Sequence, residues 1–173
     1  MEPLFSRLLG ESFANLAPRV RALHLREGTH RHRGVVEVER GASVLAKLCA
    51  YATRLPPAGH GPIEVEIVAS TDGETWSRHV GRHVMRSRLS AHDGLLHERL
   101  GLATFVFRLQ ARAGAIEWRV ERVRALGLPL PARWFAGVSA RESEADGRYH
   151  FDVRASMPLA GLLVHYRGWL DVA

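Results

Sequence analysis

The sequence predicts a mainly β (α+β) domain in which a long antiparallel meander closes into a barrel, with helices from the N-terminal region packed on it. Three observations carry this expectation. From Pro62 onward, apolar and polar residues alternate with a period of two over most of the chain. The alternating runs are joined by tight turns at Asp72-Gly73, Asp93-Gly94, Ala113-Gly114 and Asp146-Gly147. Turns this short connect antiparallel neighbours only, because a parallel pair needs a crossover of about a dozen residues. Finally, about nine or ten strands in succession are too many for an open twisted sheet, and closure removes the exposed edges.

The elements follow in order. Leu4, Phe5, Leu8 and Leu9 recur at helical spacing, Gly10 interrupts, and Phe13, Leu16, Val20 and Leu23 continue the pattern. Pro18 falls within this stretch as a break or a turn start. Residues Gly34 to Arg40 alternate as a short strand, and a second helix runs from Ser43 to Arg54 before Pro56-Pro57 stops it. Residues 1–54 are thus a helical region with one strand, and residues 62–173 the meander, within one domain spanning 1–173. The inward-facing sets of the meander include Ile63, Val65 and Ile67, then Phe105, Phe107 and Leu109, then Tyr149, Phe151 and Val153. Two longer proline-bearing links, Gly127 to Pro131 and Met157 to Gly161, are expected to pass over a barrel end.

Composition narrows the function classes. The chain has 173 residues, 46% hydrophobic and 24% charged, with a net charge of +6, which is ordinary globular composition. Lys47 is the single lysine, and the arginines are spread from Arg7 to Arg167 among acidic residues. Nucleic-acid binding wants basic residues clustered on one element with aromatics between them, so no nucleic-acid partner is expected. Cys49 has no second cysteine to pair with and reads as a small buried hydrophobe. No basic-then-apolar leader follows Met1 and no apolar run approaches the ~20 residues that span a bilayer, so the expectation is a cytoplasmic protein without a transmembrane segment. Neither a phosphate-binding glycine loop nor a Gly-x-Ser-x-Gly elbow is present. Among ten histidines, His30 and His32 share a strand face without a third ligand of suitable spacing. His79 and His83, four apart, would lie roughly 13 Å from each other on one strand. Both pairs read as solvated strand faces, and no metal or other cofactor is expected.

Strand parity exposes an anomaly. Arg78 falls on the face of Trp76 and Val80, and Glu98 on the face of Leu96 and Leu100. If those apolar faces point inward, an arginine and a carboxylate point inward too. Buried charges are costly unless paired, so an Arg78–Glu98 pair is expected inside the barrel. It either fixes register or serves as a polar anchor for the head group of a ligand. Trp118 and Tyr166 face the same interior and complete the candidate ligand-binding set of Arg78, Glu98, Trp76, Trp118 and Tyr166. Trp169, on the opposite face with His165 and Arg167, is expected to pack under a helix or loop.

The order of helix, strand, helix and meander is similar to calycin barrels, the group of lipocalins and fatty-acid-binding proteins, without a lipocalin Gly-x-Trp signature. The rival helix-grip fold ends in a long helix, whereas this chain ends in an alternating segment. More locally, the chain carries Trp76-Ser77-Arg78 with Gly81 and Met85, Glu98-Arg99 with Gly101, and Leu126-Gly127-Leu128-Pro129-Leu130-Pro131. It continues with Glu142, Pro158-Leu159 and Tyr166-Arg167-Gly168-Trp169-Leu170. In this order, from Leu55 to the end, it resembles a bacterial family of uncharacterised domains of unknown function. Members of that family occur alone or attached to a saccharopine-dehydrogenase-like NAD(P)-binding reductase.

Three functional readings follow. The first is a module that binds a small amphipathic or hydrophobic molecule inside the barrel, which requires a cavity of about a few hundred Å³. The second, implied by the resemblance, is an accessory domain for a partner reductase, with an exposed apolar patch around Leu128, Leu130, Trp134 and Phe135. The third is a small hydrolase or isomerase using Glu98, which requires a second titrating group within hydrogen-bond reach. No residue is assigned a catalytic role.

Overall fold

The computed structural model describes residues 2–172. Helix α1 (Leu4–Leu9), a 3-10 turn over Gly10–Asn15 and helix α2 (Pro18–Leu25) open the chain. Pro18 starts α2 rather than breaking a helix, because it sits in the first turn, where the missing N–H has no partner to lose. Strand β1 (Gly28–Arg40) is followed by α3 (Val44–Ala52). The Ser43 hydroxyl caps α3 by accepting the Ala46 N–H at 3.1 Å.

The meander then runs through β2 (Gly59–Ser70), β3 (Gly73–Val80), β4 (His83–His92), β5 (Leu95–Leu100), β6 (Ala103–Arg112) and β7 (Ala115–Ala125). It continues with β8 (Leu128–Leu130), β9 (Gly137–Ala145), β10 (Arg148–Met157) and β11 (Gly161–Asp171). Each of β1 to β7 pairs with the next, β7 pairs with β9, β9 to β11 follow in order, and β11 returns to β1. The result is a closed ten-stranded antiparallel barrel, consistent with a calycin-like one. No helix among the described residues is long and apolar enough to cross a membrane.

Two expectations about the links need correction. Gly127 to Pro131 does not pass over a barrel end as an irregular link. Its Leu128–Leu130 folds back as β8 on the last residues of β7, with Val123 opposite Leu130. Only then does a 3-10 turn over Ala132–Phe135 lead into β9. The Met157 to Gly161 link is a tight turn between β10 and β11, with Met157 opposite Gly161.

The two ends of the barrel differ. The N-terminal helices plug one end: the Ala17 N–H donates to the Gly114 carbonyl at 2.9 Å, and the Arg19 N–H donates to Glu144 at 2.7 Å. Phe5, Val20 and Leu23 are buried there against the strands. Helix α3 lies at the other end, where the Ser43 hydroxyl donates to the Ala160 carbonyl at 2.7 Å and the Leu102 N–H to the Ala52 carbonyl at 3.1 Å. The core is the barrel interior beneath the plug, built from the period-two apolar positions of the strands.

Candidate functional site

The interior carries the charged pair that strand parity requires. On β3, Trp76 and Arg78 both point inward and are buried. Arg78 lies opposite Met85 and Glu98 opposite Leu89 on the intervening β4, two strands across and four residues along, so only long side chains can meet. They do so at 3.6 Å, from Arg78 Nη2 to Glu98 Oε1. That separation makes an ion pair without a close hydrogen bond. Arg78 is held instead by donating from Nη1 to Ser87 Oγ on β4 at 2.9 Å and by lying 5.0 Å from the centre of the Trp76 ring.

The barrel is not filled by side chains. A chamber of about 70 Å³ is lined by Trp76, Arg78, Glu98, Trp118, Glu142 and Tyr149, among others. A second chamber of about 190 Å³ adjoins it on the α3 side, lined mainly by apolar residues including Leu55, Met85, Leu100 and Phe135. Glu98 and Tyr166 line both. All five residues expected to bind a ligand therefore border the smaller chamber. The indole N–H of Trp118 is buried without a hydrogen-bond partner. Burial pushes the Tyr166 hydroxyl up to about 12, with Arg78 pulling it back and Glu98 adding to the rise.

Sequence reasoning missed a second polar cluster at the plugged end. His24, on α2, is buried and meets Glu142 of β9 at 2.5 Å, from Nε2 to Oε2. Its ring stacks on Phe5 at 3.7 Å between centroids. Glu142 also hydrogen-bonds Tyr149, whose hydroxyl is raised well above its ordinary range, first by burial and then by the carboxylate. Buried Glu74 accepts from the Trp76 indole at 2.7 Å, and burial raises its carboxyl despite His24 and that hydrogen bond. Glu142 belongs to the run of residues that carries the family resemblance. His24 had no signal, because its partner is 118 positions away.

The histidine expectations change as well. His32 is not solvated: it shares the inward parity of Val36 and Val38 on β1 and is buried. Its neighbour His30 lies 5.2 Å away between ring centroids, with both ring nitrogens buried and without partners. Burial lowers His30 to about 4, helped by the adjacent His32 and by Arg26, and also lowers His32. The alternation at 34–40 marks only the later half of β1, so these two were placed without their strand. His79 and His83 do not share one strand: a turn at Gly81-Arg82 puts them on β3 and β4, where His83 faces Val80. Trp169 is covered by Arg148, whose guanidinium lies 4.0 Å from the ring centre, rather than by a helix or loop. Cys49 is half-buried and borders the larger chamber. Among the described residues, no group of three or more His, Cys, Asp or Glu could hold a metal ion.

Comparison with known proteins places the chain. The model of a family described as Domain of unknown function (DUF4166) matches residues 16–170. No curated protein matches the chain. Among solved structures, it is similar to the crystal structure of Rv2717c from M. tuberculosis, at 13% identity and a TM-score of 0.45. That similarity covers 91% of this chain and 99% of the other.

Proposed function

The chain belongs to the DUF4166 family of domains of unknown function, and we propose that it is a binding module for a small amphipathic molecule held inside the barrel. The observation that carries this reading is the pair of adjoining chambers, one with a few charged and hydrogen-bonding groups set in apolar walls and one almost wholly apolar, in a barrel that packing would otherwise fill. At about 70 and 190 Å³ they fall below the roughly 300 Å³ at which ordinary ligand sites begin, so the ligand is short. Its head is an oxygen acceptor. The smaller chamber offers an Arg78 fork that Ser87 and Glu98 leave partly unused, and its wall includes Trp118, whose buried N–H has no partner. Its tail takes the apolar chamber between Met85, Leu100 and Phe135.

Native mass spectrometry of the purified protein, with extraction and identification of whatever is bound, tests the reading. An adduct should co-purify and be lost in Arg78→Met, which keeps the side-chain volume and removes the fork. A clean apo mass, together with no uptake of short fatty acids or alcohols by the wild-type chain, would sink it. An accessory role beside a reductase draws on exposed Leu128 and Trp134, although Phe135 is buried. The hydrolase or isomerase reading needs a proton acceptor beside Glu98. The groups near Glu98 are Arg78, a donor only at 3.6 Å, and Tyr166, whose hydroxyl is pushed up to about 12 and so stays protonated. Neither takes a proton from it, and that reading gains nothing from the geometry.

A further inference from the structure

We infer that the α3 end of the barrel docks onto an anionic lipid bilayer. The first observation is an inverted helix. A surface helix ordinarily turns its large apolar residues inward. In α3 the inward residues are Ala46 and Ala50, both buried, while Val44, Leu48 and Tyr51 are 83%, 62% and 85% exposed. Packing of α3 on the barrel therefore leaves its largest apolar side chains in water.

The second observation is that this face continues into the neighbouring turns. The Leu102 N–H bonds the end of α3 at Ala52, and the Leu126 N–H bonds the Leu102 carbonyl at 3.0 Å. The start of α3 is tied through Ser43 to Ala160. Leu102, Leu126 and Leu159, at or beside these links, are all exposed. A contiguous apolar rim of this kind marks a binding surface, whereas single exposed leucines are unremarkable.

The third observation fixes the partner's charge. Every segment at this end, residues 41–59, 81–84, 99–104, 122–138 and 155–164, lacks Asp and Glu. The same segments hold Lys47, Arg54, Arg82, Arg99, Arg124 and Arg133, all exposed. A shallow groove joins the two chemistries, with Tyr51 and Leu102 beside Arg54, Arg86, Arg88 and Arg99. The opposite end is mixed by contrast: Asp72, Asp93 and Asp146 in its turns and Glu2, Glu11 and Glu144 at the plug stand among Arg7, Arg19, Arg21, Arg112 and Arg148.

Aliphatic side chains ringed by arginines suit a lipid surface: the apolar tips enter the headgroup boundary and the guanidinium groups bind phosphates. Nucleic acid would call for a series of aromatic platforms between the arginines, whereas the groove holds one, Tyr51, and the rest of the exposed apolar face is aliphatic: Val44, Leu48, Leu102, Leu126 and Leu159. The surface stands independently of what occupies the chambers. If both readings hold, the apolar chamber faces the membrane from which its ligand would come.

Co-sedimentation with vesicles tests the inference. The full chain should pellet with phosphatidylglycerol–phosphatidylcholine vesicles at low salt. Binding should weaken by about tenfold or more on pure phosphatidylcholine, or in about 0.5 M salt, where exposed charges are screened. L48E/Y51E should abolish binding and R88Q/R99Q should weaken it, each with an unchanged melting curve because these side chains are exposed. Asp146→Asn at the other end should change nothing. Failure to pellet with any anionic vesicle would overturn the inference, as would binding that L48E/Y51E leaves intact. Capture by duplex DNA without capture by vesicles would overturn it too, and would reassign the arginines.

Discussion

His24 Nε2 and Glu142 Oε2 meet at 2.5 Å in the buried interior beneath the plug, the tightest polar contact there among the described residues. Removing one partner leaves the other buried without compensation, a loss of about 3 kcal/mol. Glu142→Ala is therefore expected to lower the urea midpoint strongly, and Tyr149→Phe to lower it less, because Glu142 then keeps His24. Equal effects would mean that the hydroxyl, not the imidazole, satisfies the carboxylate. A second prediction concerns His30 and His32. Burial holds both below the ordinary 6.5, His30 at about 4, so the unfolded chain takes up these protons first. Stability should be complete above about pH 6.5 and fall as the pH drops from there toward about 4. The loss should be on the order of 1 kcal/mol, since solvent partly screens the pair. His30→Leu should flatten that decline in chemical denaturation at stepped pH; an unchanged slope would show that the histidines do not drive it. Arg78 and Glu98 were legible because each sits in an unbroken alternating run, where one parity argument places the side chain. His24 lies on a helix that meets the barrel only through tertiary packing, and no local pattern records such a meeting.

At the scale of elements, the alternation of β2, β3 and β10 fixed their faces, whereas β1 was read at half its length. The reason is chemical. The inner positions of its first half are histidines, and its outer arginines are matched across β2 by Arg31–Glu66 and Arg33–Glu64 pairs, so no apolar period marks the strand. Helix α3 was located as the stretch from Ser43 to Arg54 that Pro56-Pro57 stops, but its orientation was hidden because its apolar residues face out. The seam between β1 and β11 shows a constraint that composition alone does not reveal. Gly168 lies opposite Val36, and a Cβ there would run into the Val35 carbonyl and approach the Phe151 ring to 2.8 Å. Gly34 faces Leu170 and would meet the Trp169 backbone in the same way. Backbone cannot yield as a flexible side chain does, so Gly168→Ala should cost about 3 kcal/mol and lower the thermal midpoint accordingly. A melt within a degree or two of wild type would show that the seam can relax.

At the scale of the whole molecule, the closure that removes sheet edges also determines how the chain must fold. Most pairings are hairpins between neighbours, such as β2 with β3, where Ile67 lies opposite Trp76. The ring is completed only when Arg33 finds Asp171 and Val36 finds Gly168, near the two ends of the chain. Loop-closure entropy rises slowly with length, but it must be met before any seam contact returns energy, so hairpins are expected to precede the seam. Substitutions then divide by position. Ile67→Ala, in a hairpin, should slow folding, because its contacts already exist in the transition state. Val36→Ala, buried at the seam, should leave the folding rate near wild type and speed unfolding, with a total loss of about 2 kcal/mol. Chevron plots of the two variants separate these outcomes directly. If Val36→Ala slows folding as much as Ile67→Ala does, the barrel closes early, and the N-terminal plug rather than the hairpins would have to hold the first strand in place for its distant partner.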